Sequence, residues 1–231
     1  MKKTIVIIGA GPGVGFAVAE RFGKEGYNVV LLARNVEKLN MLKDDLLKKG
    51  IQAASFQADI LDREHLTRSL QEVINYYGAI DVLEFSPTPT WESIRTARNI
   101  DVANEQHHLD YQVLAAIAAV QAVLPQMLER KDGSILFTTA SSAQHPINLT
   151  ASFGVAAGAL LNYARLLNMD LKEDNIYAGI VSIGALVVNE NTPGESKGDF
   201  PEGMPTITAA EVAEAHWRLY KQRDVAEIII S

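Results

Sequence analysis

Hydrophobic residues along this chain recur in two alternating patterns. Short, nearly continuous apolar runs such as Thr4–Gly9 (TIVIIG) and Asn28–Ala33 (NVVLLA) are typical of strands that are buried on both faces. Elsewhere apolar residues return every three or four positions, as Leu39, Leu42 and Leu46 do, which indicates helices with one buried face. The chain therefore reads as strands and helices in alternation.

This alternation predicts the fold class. The predicted strands are Thr4–Gly9, Asn28–Ala33, Ala53–Ala58, Ile80–Ser86, Ser134–Thr139, Tyr177–Ile183 and Ala226–Ile230. The predicted helices are Gly13–Glu25, a helix from its cap Asn35 to Lys49, Asp62–Tyr77, the long region Val102–Arg130, Ala151–Lys172 and Thr208–Gln222. Apolar strands separated by helices predict an α/β fold: a doubly wound, Rossmann-like parallel sheet of about seven strands with helices on both faces. We expect a single domain over residues 1–231, with Asn189–Pro205 as a surface loop.

Composition narrows the possible functions. The chain has 231 residues, 48% of them hydrophobic, and a formal net charge of −7. A negative chain lacks the basic surface that binds nucleic acid, so we expect no nucleic-acid partner. Cysteine is absent, which excludes disulfides and thiolate metal sites and fits a cytoplasmic protein. No uninterrupted run of about 18 apolar residues occurs, so we expect no membrane-spanning helix.

The N-terminus shares some features with a signal peptide. Lys2 and Lys3 precede an apolar stretch, and Ala17-Val18-Ala19 resembles a cleavage site. Four glycines and Pro12 interrupt that stretch, however, and cleavage would remove the first predicted strand. We therefore interpret this segment as part of the fold.

A glycine-rich loop, GAGPGVG, follows the first strand. Gly9, Gly13 and Gly15 permit a tight turn and let backbone N–H groups approach a pyrophosphate, with Gly11 and Val14 in the same loop. The spacing is G-x-x-x-G-x-G, because Val14 stands where G-x-G-x-x-G needs its third glycine. The loop predicts a dinucleotide site; the alternative is a tight turn with a structural role alone.

The ends of the second and third strands suggest which dinucleotide binds. NAD sites usually carry an acidic residue about 20 residues beyond the glycines, whereas this chain has Arg34 after the second strand. A guanidinium suits a 2′-phosphate, so we predict NADP(H) in preference to NAD(H), unless Arg34 is an ordinary surface residue. Asp59, next to Ile60, either holds the adenine amino group or caps a helix.

Taken in order, these features resemble the short-chain dehydrogenase/reductase family over essentially the whole chain. The match comprises the glycine loop, Arg34, Asp59, LPQM at Leu124–Met127 and the Gly133-Ser-Ile segment before the fifth strand. The resemblance implies hydride transfer between a nicotinamide cofactor and a carbonyl or alcohol carbon. It also implies a homodimer or homotetramer, and a small-molecule substrate that the sequence does not identify.

The family's catalytic positions are mostly replaced in this chain. The resemblance implies a tyrosine that transfers the proton, a lysine four residues later, an asparagine and a serine. Counting from the matched motifs places Phe153, Ala157 and Gln112 at the first three positions. The serine corresponds to Ser141 or its neighbour Ser142, with the family position itself nearer Ala140. No tyrosine in the chain has a lysine four residues later, so the loss does not depend on the alignment.

Polar residues near the expected site leave further alternatives. Glu84 and Ser86 lie in the segment where the family has asparagine–alanine–glycine; Ser86 is a candidate cofactor contact, and Glu84 faces either the cofactor crevice or solvent. Gln112 either keeps a polar contact or sits at the start of its helix. His107 and His108 are expected on a solvated helix face.

His145 is the candidate for a substitute proton donor. It lies four residues beyond Ser141, after the carboxyl end of a strand, and imidazole titrates in the right range. The alternative is a histidine on a surface turn before Pro146.

Three functions follow from the sequence. The chain is an NADP(H)-dependent oxidoreductase with a non-standard active site, a cofactor-binding sensor or regulatory protein without redox chemistry, or an interaction protein that keeps only the fold. No metal site is expected.

Overall fold

The strands of the fold form one large sheet and one small one. The structure is a computed structural model, and it describes residues 2–188 and 205–231. The strands are β1 (Thr4–Ile8), β2 (Asn28–Ala33), β3 (Ala53–Gln57), β4 (Val82–Phe85), β5 (Gly133–Ala140), β6 (Ile176–Ile183), β7 (Leu186–Val188), β8 (Thr206–Thr208) and β9 (Glu227–Ile230). Seven of these described strands make a parallel sheet in the order β3-β2-β1-β4-β5-β6-β9, while β7 pairs with β8.

Helices cover both faces of the large sheet. They are α1 (Val14–Lys24), α2 (Val36–Lys48), α3 (Arg63–Tyr77), α4 (Val102–Leu109), α5 (Ala115–Arg130), α6 (Ala151–Asp170) and α7 (Ala209–Gln222). Apolar residues of α1, α2 and α7 pack on one face, and those of α3, α5 and α6 on the other. A doubly wound α/β fold is therefore confirmed.

The continuous apolar character of the strands follows from this two-sided cover. In β1, Ile5 and Ile7 belong to the core under α1 and α7, whereas Val6 and Ile8 belong to the core under α3, α5 and α6. All four side chains are fully buried. Since successive strand residues point to opposite faces, a strand that is covered on both faces needs apolar residues at every position.

The sheet reverses its direction of winding at β1. Strand β1 pairs with β2 on one side and with β4 on the other, so that Ile7 lies opposite both Leu31 and Glu84. Such a reversal opens a crevice at the carboxyl ends of the strands, which is where ligands bind in folds of this type. Gly9 follows β1 at this point with a φ of +87°, and a Cβ atom there would lie 2.6 Å from the backbone nitrogen of Pro87.

Most predicted elements are found with shifts of one or two residues at their ends. The long helical region Val102–Arg130 is divided into α4, a π-helical segment (Asp110–Leu114) and α5. The pairing of β7 with β8 was not predicted, because three-residue strands are too short to show an alternating pattern. The predicted loop Asn189–Pro205 lies outside the described residues except for Pro205.

The expectation that no helix spans a membrane is not decided by composition. Among the residues that the structure describes, the continuous helix Val102–Arg130 is long and apolar enough to cross a bilayer. The helix has no uninterrupted apolar run, but its alanines and its small number of charged residues give it a high mean hydropathy. Ala116, Ala119 and Val123 of this helix are buried in the core of the fold, as expected for a core helix.

The close approach at Gly9 leads to a prediction about stability. Replacement by alanine forces a Cβ into a positive-φ position and against the backbone of Pro87, so Gly9→Ala should lower the free energy of unfolding. Gly50→Ala is a matched control, since Gly50 has a φ of +76° and a Cβ added there would meet no atom within 4 Å. The control should lose about 1–2 kcal/mol, and Gly9→Ala should lose more. Urea denaturation measures both, and equal losses would contradict the collision.

Candidate functional site

A cavity of about 770 Å³ lies at the carboxyl edge of the sheet, over the reversal point. Its walls come from the loop after β1, from the segments that follow β2, β4, β5 and β6, and from the first turn of α6. Size and position both fit a ligand site of a doubly wound fold.

The glycine loop forms the first wall of this cavity. All five loop residues that were predicted to bind cofactor line it: Gly9, Gly11, Gly13, Val14 and Gly15. Gly13 is the N-cap of α1 and supplies no side-chain hydrogen bond, and the first helical turn holds no acidic residue. The first N–H groups of a helix lack intrahelical partners and carry partial positive charge. This end of the cavity can therefore accept an anion.

The lack of a side chain at Gly13 also leaves room for a ligand. A Cβ atom at this position would have no neighbour within 4 Å, whereas one at Gly15 would lie 3.1 Å from the Cα of Ala10. Open space above Gly13 lets a ligand reach the backbone, while Gly15 lets the helix pack closely against the loop.

Arg34 lines the same cavity from the end of β2 and is exposed. Tyr111 and Ile60 lie in the lining as well, and the Tyr111 hydroxyl donates a hydrogen bond to the Thr88 carbonyl over 3.2 Å. Burial raises the pKa of Tyr111, while the charge of Arg34 opposes that shift. A cation and a phenol thus stand together at this end of the cavity.

The structure does not bring the Asp59 side chain into the lining. Its carboxylate accepts a hydrogen bond from the Leu61 N–H at 3.0 Å, which closes a local turn. The alternative role as helix cap is wrong, because Asp62 caps α3 by accepting from the His65 N–H. An adenine contact by Asp59 stays a prediction.

The end of β5 supplies hydroxyl groups to the cavity. Thr139, Ser141 and Ser142 all line it. Thr139 Oγ1 and Ser142 Oγ are buried and have no hydrogen-bond partner in the described protein. Buried polar atoms are seldom left unpaired, which makes these two hydroxyls unusual, whereas Ser141 is only partly buried and is the more accessible hydroxyl residue of the three.

The residue that the resemblance places at the proton-donor position is apolar. Phe153 lies in the first turn of α6 and lines the cavity. Ala157, one turn further on, is fully buried and lies outside the lining. His145 is exposed and also lies outside the lining, although its N–H donates to the Ser141 carbonyl at 2.8 Å. The role of His145 as a substitute donor stays a prediction, and its position outside the lining does not favour that role.

Gln112 keeps a polar contact and does not start a helix. It lies in the π-helical segment, is buried and lines the cavity, and its Nε2 is 3.4 Å from Nδ1 of His108. The expected solvated face is correct for His107, which is exposed, and wrong for His108, which is fully buried. A π-helical turn in a long helix is frequent at functional sites.

His108 is buried because it joins two distant segments. Its Nε2 donates to the Ser93 carbonyl at 3.1 Å and lies 3.2 Å from the Ser152 hydroxyl. Burial lowers the pKa of His108, which favours the neutral ring. The histidine therefore fixes the segment after β4 against the start of α6.

Glu84 faces neither the crevice nor solvent, so both alternatives from the sequence are wrong. It is fully buried behind the cavity wall, with the hydroxyls of Ser86 and Thr138 each 3.0 Å from its carboxyl oxygens. Both hydroxyl residues line the cavity, as predicted for Ser86. Thr138 Oγ1 also lies 2.8 Å from His216 Nε2 on α7. The polar pairing explains how a carboxyl is accommodated in the core.

Sequence reasoning missed Tyr111 and Thr139 as residues of the cavity. Each lies next to a residue that the sequence analysis did single out, Gln112 and the Ser141 turn respectively. Adjacency to those residues was the available signal in the sequence, since no spacing rule identifies Tyr111 or Thr139.

Comparisons with known proteins agree on a family. A family model described as short chain dehydrogenase matches residues 3–196. An uncharacterized oxidoreductase of Staphylococcus epidermidis is 25% identical over 214 residues, which cover 93% of this chain and 89% of that protein.

Solved structures resemble the whole chain. A 7α-hydroxysteroid dehydrogenase complexed with NADH and 7-oxo glycochenodeoxycholic acid aligns with a TM-score of 0.88 and 22% identity, covering 99% of this chain and 92% of that one. L-sorbose reductase from Gluconobacter frateurii, complexed with NADPH and L-sorbose, aligns with a TM-score of 0.86 and 23% identity, covering 100% and 95%. At these identities the likeness shows the fold.

The buried carboxyl leads to a prediction about pH. Burial raises the pKa of Glu84 to about 8 and lowers that of His216 to about 3, from ordinary values of 4.5 and 6.5. Between pH 4.5 and 6.5 the two groups act oppositely on stability. Above pH 6.5 only Glu84 acts, because the unfolded chain has released a proton that the folded chain still holds. The free energy of unfolding should therefore fall from pH 6.5 to 8, by at most about 1.4 kcal/mol per pH unit.

Replacing Glu84 with glutamine should remove this alkaline decline, since the amide does not titrate. Glu64→Gln on the exposed start of α3 is the matched control and should keep the decline. Urea denaturation at pH 6.5, 7.25 and 8 gives the slopes. An unchanged slope in Glu84→Gln would show that another group titrates.

Proposed function

Since the chain belongs to the short-chain dehydrogenase family, we propose that it binds NADP(H) in the cavity at the carboxyl edge of the sheet. One observation carries this proposal: the N-terminus of α1, which has no side-chain cap, and the guanidinium of Arg34 line the same cavity. The first fits a pyrophosphate and the second a 2′-phosphate. Of the similar structures described above, one holds NADH and one NADPH, so the preference for NADP(H) rests on Arg34.

The residues in the cavity fit the cofactor binding of the family but not its proton transfer. Open space over Gly13 suits a bound cofactor, and the partly buried Ser141 in the lining suits a polar ligand group. Phe153 and Ala157 provide neither the proton donor nor the cation that the family pattern places there. We therefore propose an oxidoreductase site that is non-standard at its proton-transfer end.

In the proposed reaction each residue of the chain has a limited role. Bound NADP(H) would supply the hydride chemistry. Ser141 and Ser142 would orient a carbonyl or hydroxyl group through their own hydroxyls, since both line the cavity. A positioned general acid is worth about 10²–10⁴-fold in rate, and the aromatic ring of Phe153 cannot supply that factor. Slow turnover is the expected consequence.

The same observation supports a second candidate, a protein that binds the cofactor without turning it over. Phe153 occupies the donor position, and within the described lining only Arg34 and Tyr111 carry side chains of the usual titrating types. A sensor or regulatory protein needs the glycine loop and Arg34 but no acid. Turnover distinguishes the two candidates.

The assembly and location of the protein stay predictions. A homodimer or homotetramer would be favoured by the large apolar side chains that α6 leaves exposed, Val155, Leu166 and Met169. A cytoplasmic location, a small-molecule substrate, and the absence of nucleic-acid and membrane partners are likewise untested.

Cofactor binding is the first prediction of the proposal. Calorimetric titration should show micromolar binding of NADPH and weaker binding of NADH. Arg34→Ala should weaken NADPH binding by at least about tenfold, because one charge-assisted contact is lost, and should leave NADH binding nearly unchanged. Arg68→Ala, an exposed arginine outside the cavity, is the matched control for loss of one positive charge. Equal losses for NADPH and NADH in Arg34→Ala would contradict the 2′-phosphate assignment.

Turnover is the second prediction. Oxidation of NADPH with neutral aldehydes and ketones, followed by absorbance, should be slow and should fall by about tenfold or more in Ser141→Ala with NADPH affinity retained. His145→Ala should stay within about twofold, because His145 lies outside the lining. No turnover in a wild-type protein that binds NADPH would favour the second candidate. A rate that Ser141→Ala leaves unchanged would remove Ser141 from the site.

A further inference from the structure

Large apolar side chains gather at the end of the cavity away from Arg34. Trp91, Ile147 and Leu149 line the cavity although they are 40%, 48% and 44% exposed, and Ile94 and Phe153 line it beside them. These five residues are called the apolar wall below. An apolar surface that a fold leaves accessible inside a cavity is typical of a binding site for an apolar group.

Hydrogen bonds hold the two halves of the apolar wall together. The Arg95 N–H donates to the Ser152 hydroxyl at 2.9 Å, and the Ser152 N–H donates to the Arg95 carbonyl at 3.2 Å. These contacts place Ile94, one residue before Arg95, near Phe153, one residue after Ser152. The Ala97 N–H donates to Asn148 Oδ1 at 3.2 Å, which brings the turn that carries Ile147 and Leu149 to the same place.

Buried His108 reinforces this arrangement from behind. Its ring is within hydrogen-bond distance of both the Ser93 carbonyl and the Ser152 hydroxyl. The backbone that carries the apolar wall is therefore held by contacts of its own.

The apolar wall offers no partner to a charged group. Among the described residues that line the cavity, Arg34 is the only one with a charged side chain at neutral pH. Arg34 follows β2, and the Ser141 turn follows β5, three strands away in the sheet. At about 4.8 Å per strand this separation is roughly 14 Å. The nearest guanidinium on the same segment, that of Arg95, lies outside the lining and donates to the Glu92 and Ile94 carbonyls at 2.6 and 2.9 Å. A carboxylate or phosphate against the side chains of the apolar wall would lose water without meeting a charged lining residue, which is costly.

We infer that the apolar wall binds the body of an uncharged, apolar ligand whose single polar group, a carbonyl or hydroxyl, meets the hydroxyl of Ser141. The inference names the ligand class for the function proposed above. It rests on that function for the statement that NADP(H) occupies the Arg34 end of the cavity. Binding at the apolar wall itself needs only the contacts described here.

The neutral fluorophore N-phenyl-1-naphthylamine tests this inference directly. It should bind at one site per chain, with enhanced emission, both without and with saturating NADPH. Competition should then separate two ligands of equal chain length: 1-decanol should displace the fluorophore at a concentration at least about tenfold lower than decanoate at pH 7.5. Equal displacement, or preference for decanoate, would overturn the inference.

A matched pair of variants locates the site. Leu149→Glu puts a carboxylate into the apolar wall and should weaken fluorophore binding at least about tenfold. Leu47→Glu makes the same change at an equally exposed leucine of α2 outside the cavity and should leave binding unchanged. Equal loss in both variants, or none in Leu149→Glu, would overturn the assignment. Should Leu149→Glu fail to fold by circular dichroism, Ile147→Glu makes the same test at a neighbouring exposed position.

NADPH titration of the same proteins keeps the two proposals apart. Leu149→Glu should retain wild-type NADPH affinity, because Leu149 is not part of the glycine loop. Fluorophore binding without any NADPH binding would uphold the apolar site and reject the proposed cofactor. NADPH binding without fluorophore binding would reject the apolar site alone.

Discussion

The contact between the chain segments that leave β1 and β4 is the constraint on which the rest of the site depends. Gly9 can follow β1 against the backbone of Pro87 because it has no side chain and accepts a positive φ. That close approach lets two oppositely wound halves of the sheet begin side by side. The crevice above them then receives the N-terminus of α1 from one half and the Ser141 turn from the other.

The fold could be predicted to within a few residues because burial on both faces leaves a strong local signal. Uninterrupted apolar strands and helices with one apolar face encode their surroundings in short windows. Two of the errors, Glu84 and His108, concern polar residues whose burial depends on partners far along the chain. Thr138 lies 54 positions from Glu84, and Ser152 lies 44 positions from His108. No local pattern carries that information.

The candidate site, like the fold, was predictable only where the sequence carries a local signal. The glycine loop and Arg34 follow strand ends, and a parallel sheet brings strand ends to one edge, so their place in one cavity follows from topology. The family position that corresponds to Phe153 was predicted by counting from matched residues along the same helix. The apolar wall could not be foreseen, because its residues come from two irregular segments that only the bonds around Ser152 and Asn148 bring together.

Phe153 and the rest of the apolar wall belong to one physical arrangement. Phe153 lines the cavity together with Ile94 and Leu149, and its phenyl ring extends the apolar surface that they form. A phenyl ring cannot donate a proton, so the oxidoreductase proposed above would lack the contribution of a positioned acid at this point. Such a site would favour retention of an apolar ligand over rapid proton transfer. The hydroxyls in the lining could orient a carbonyl but would supply a proton poorly near neutral pH.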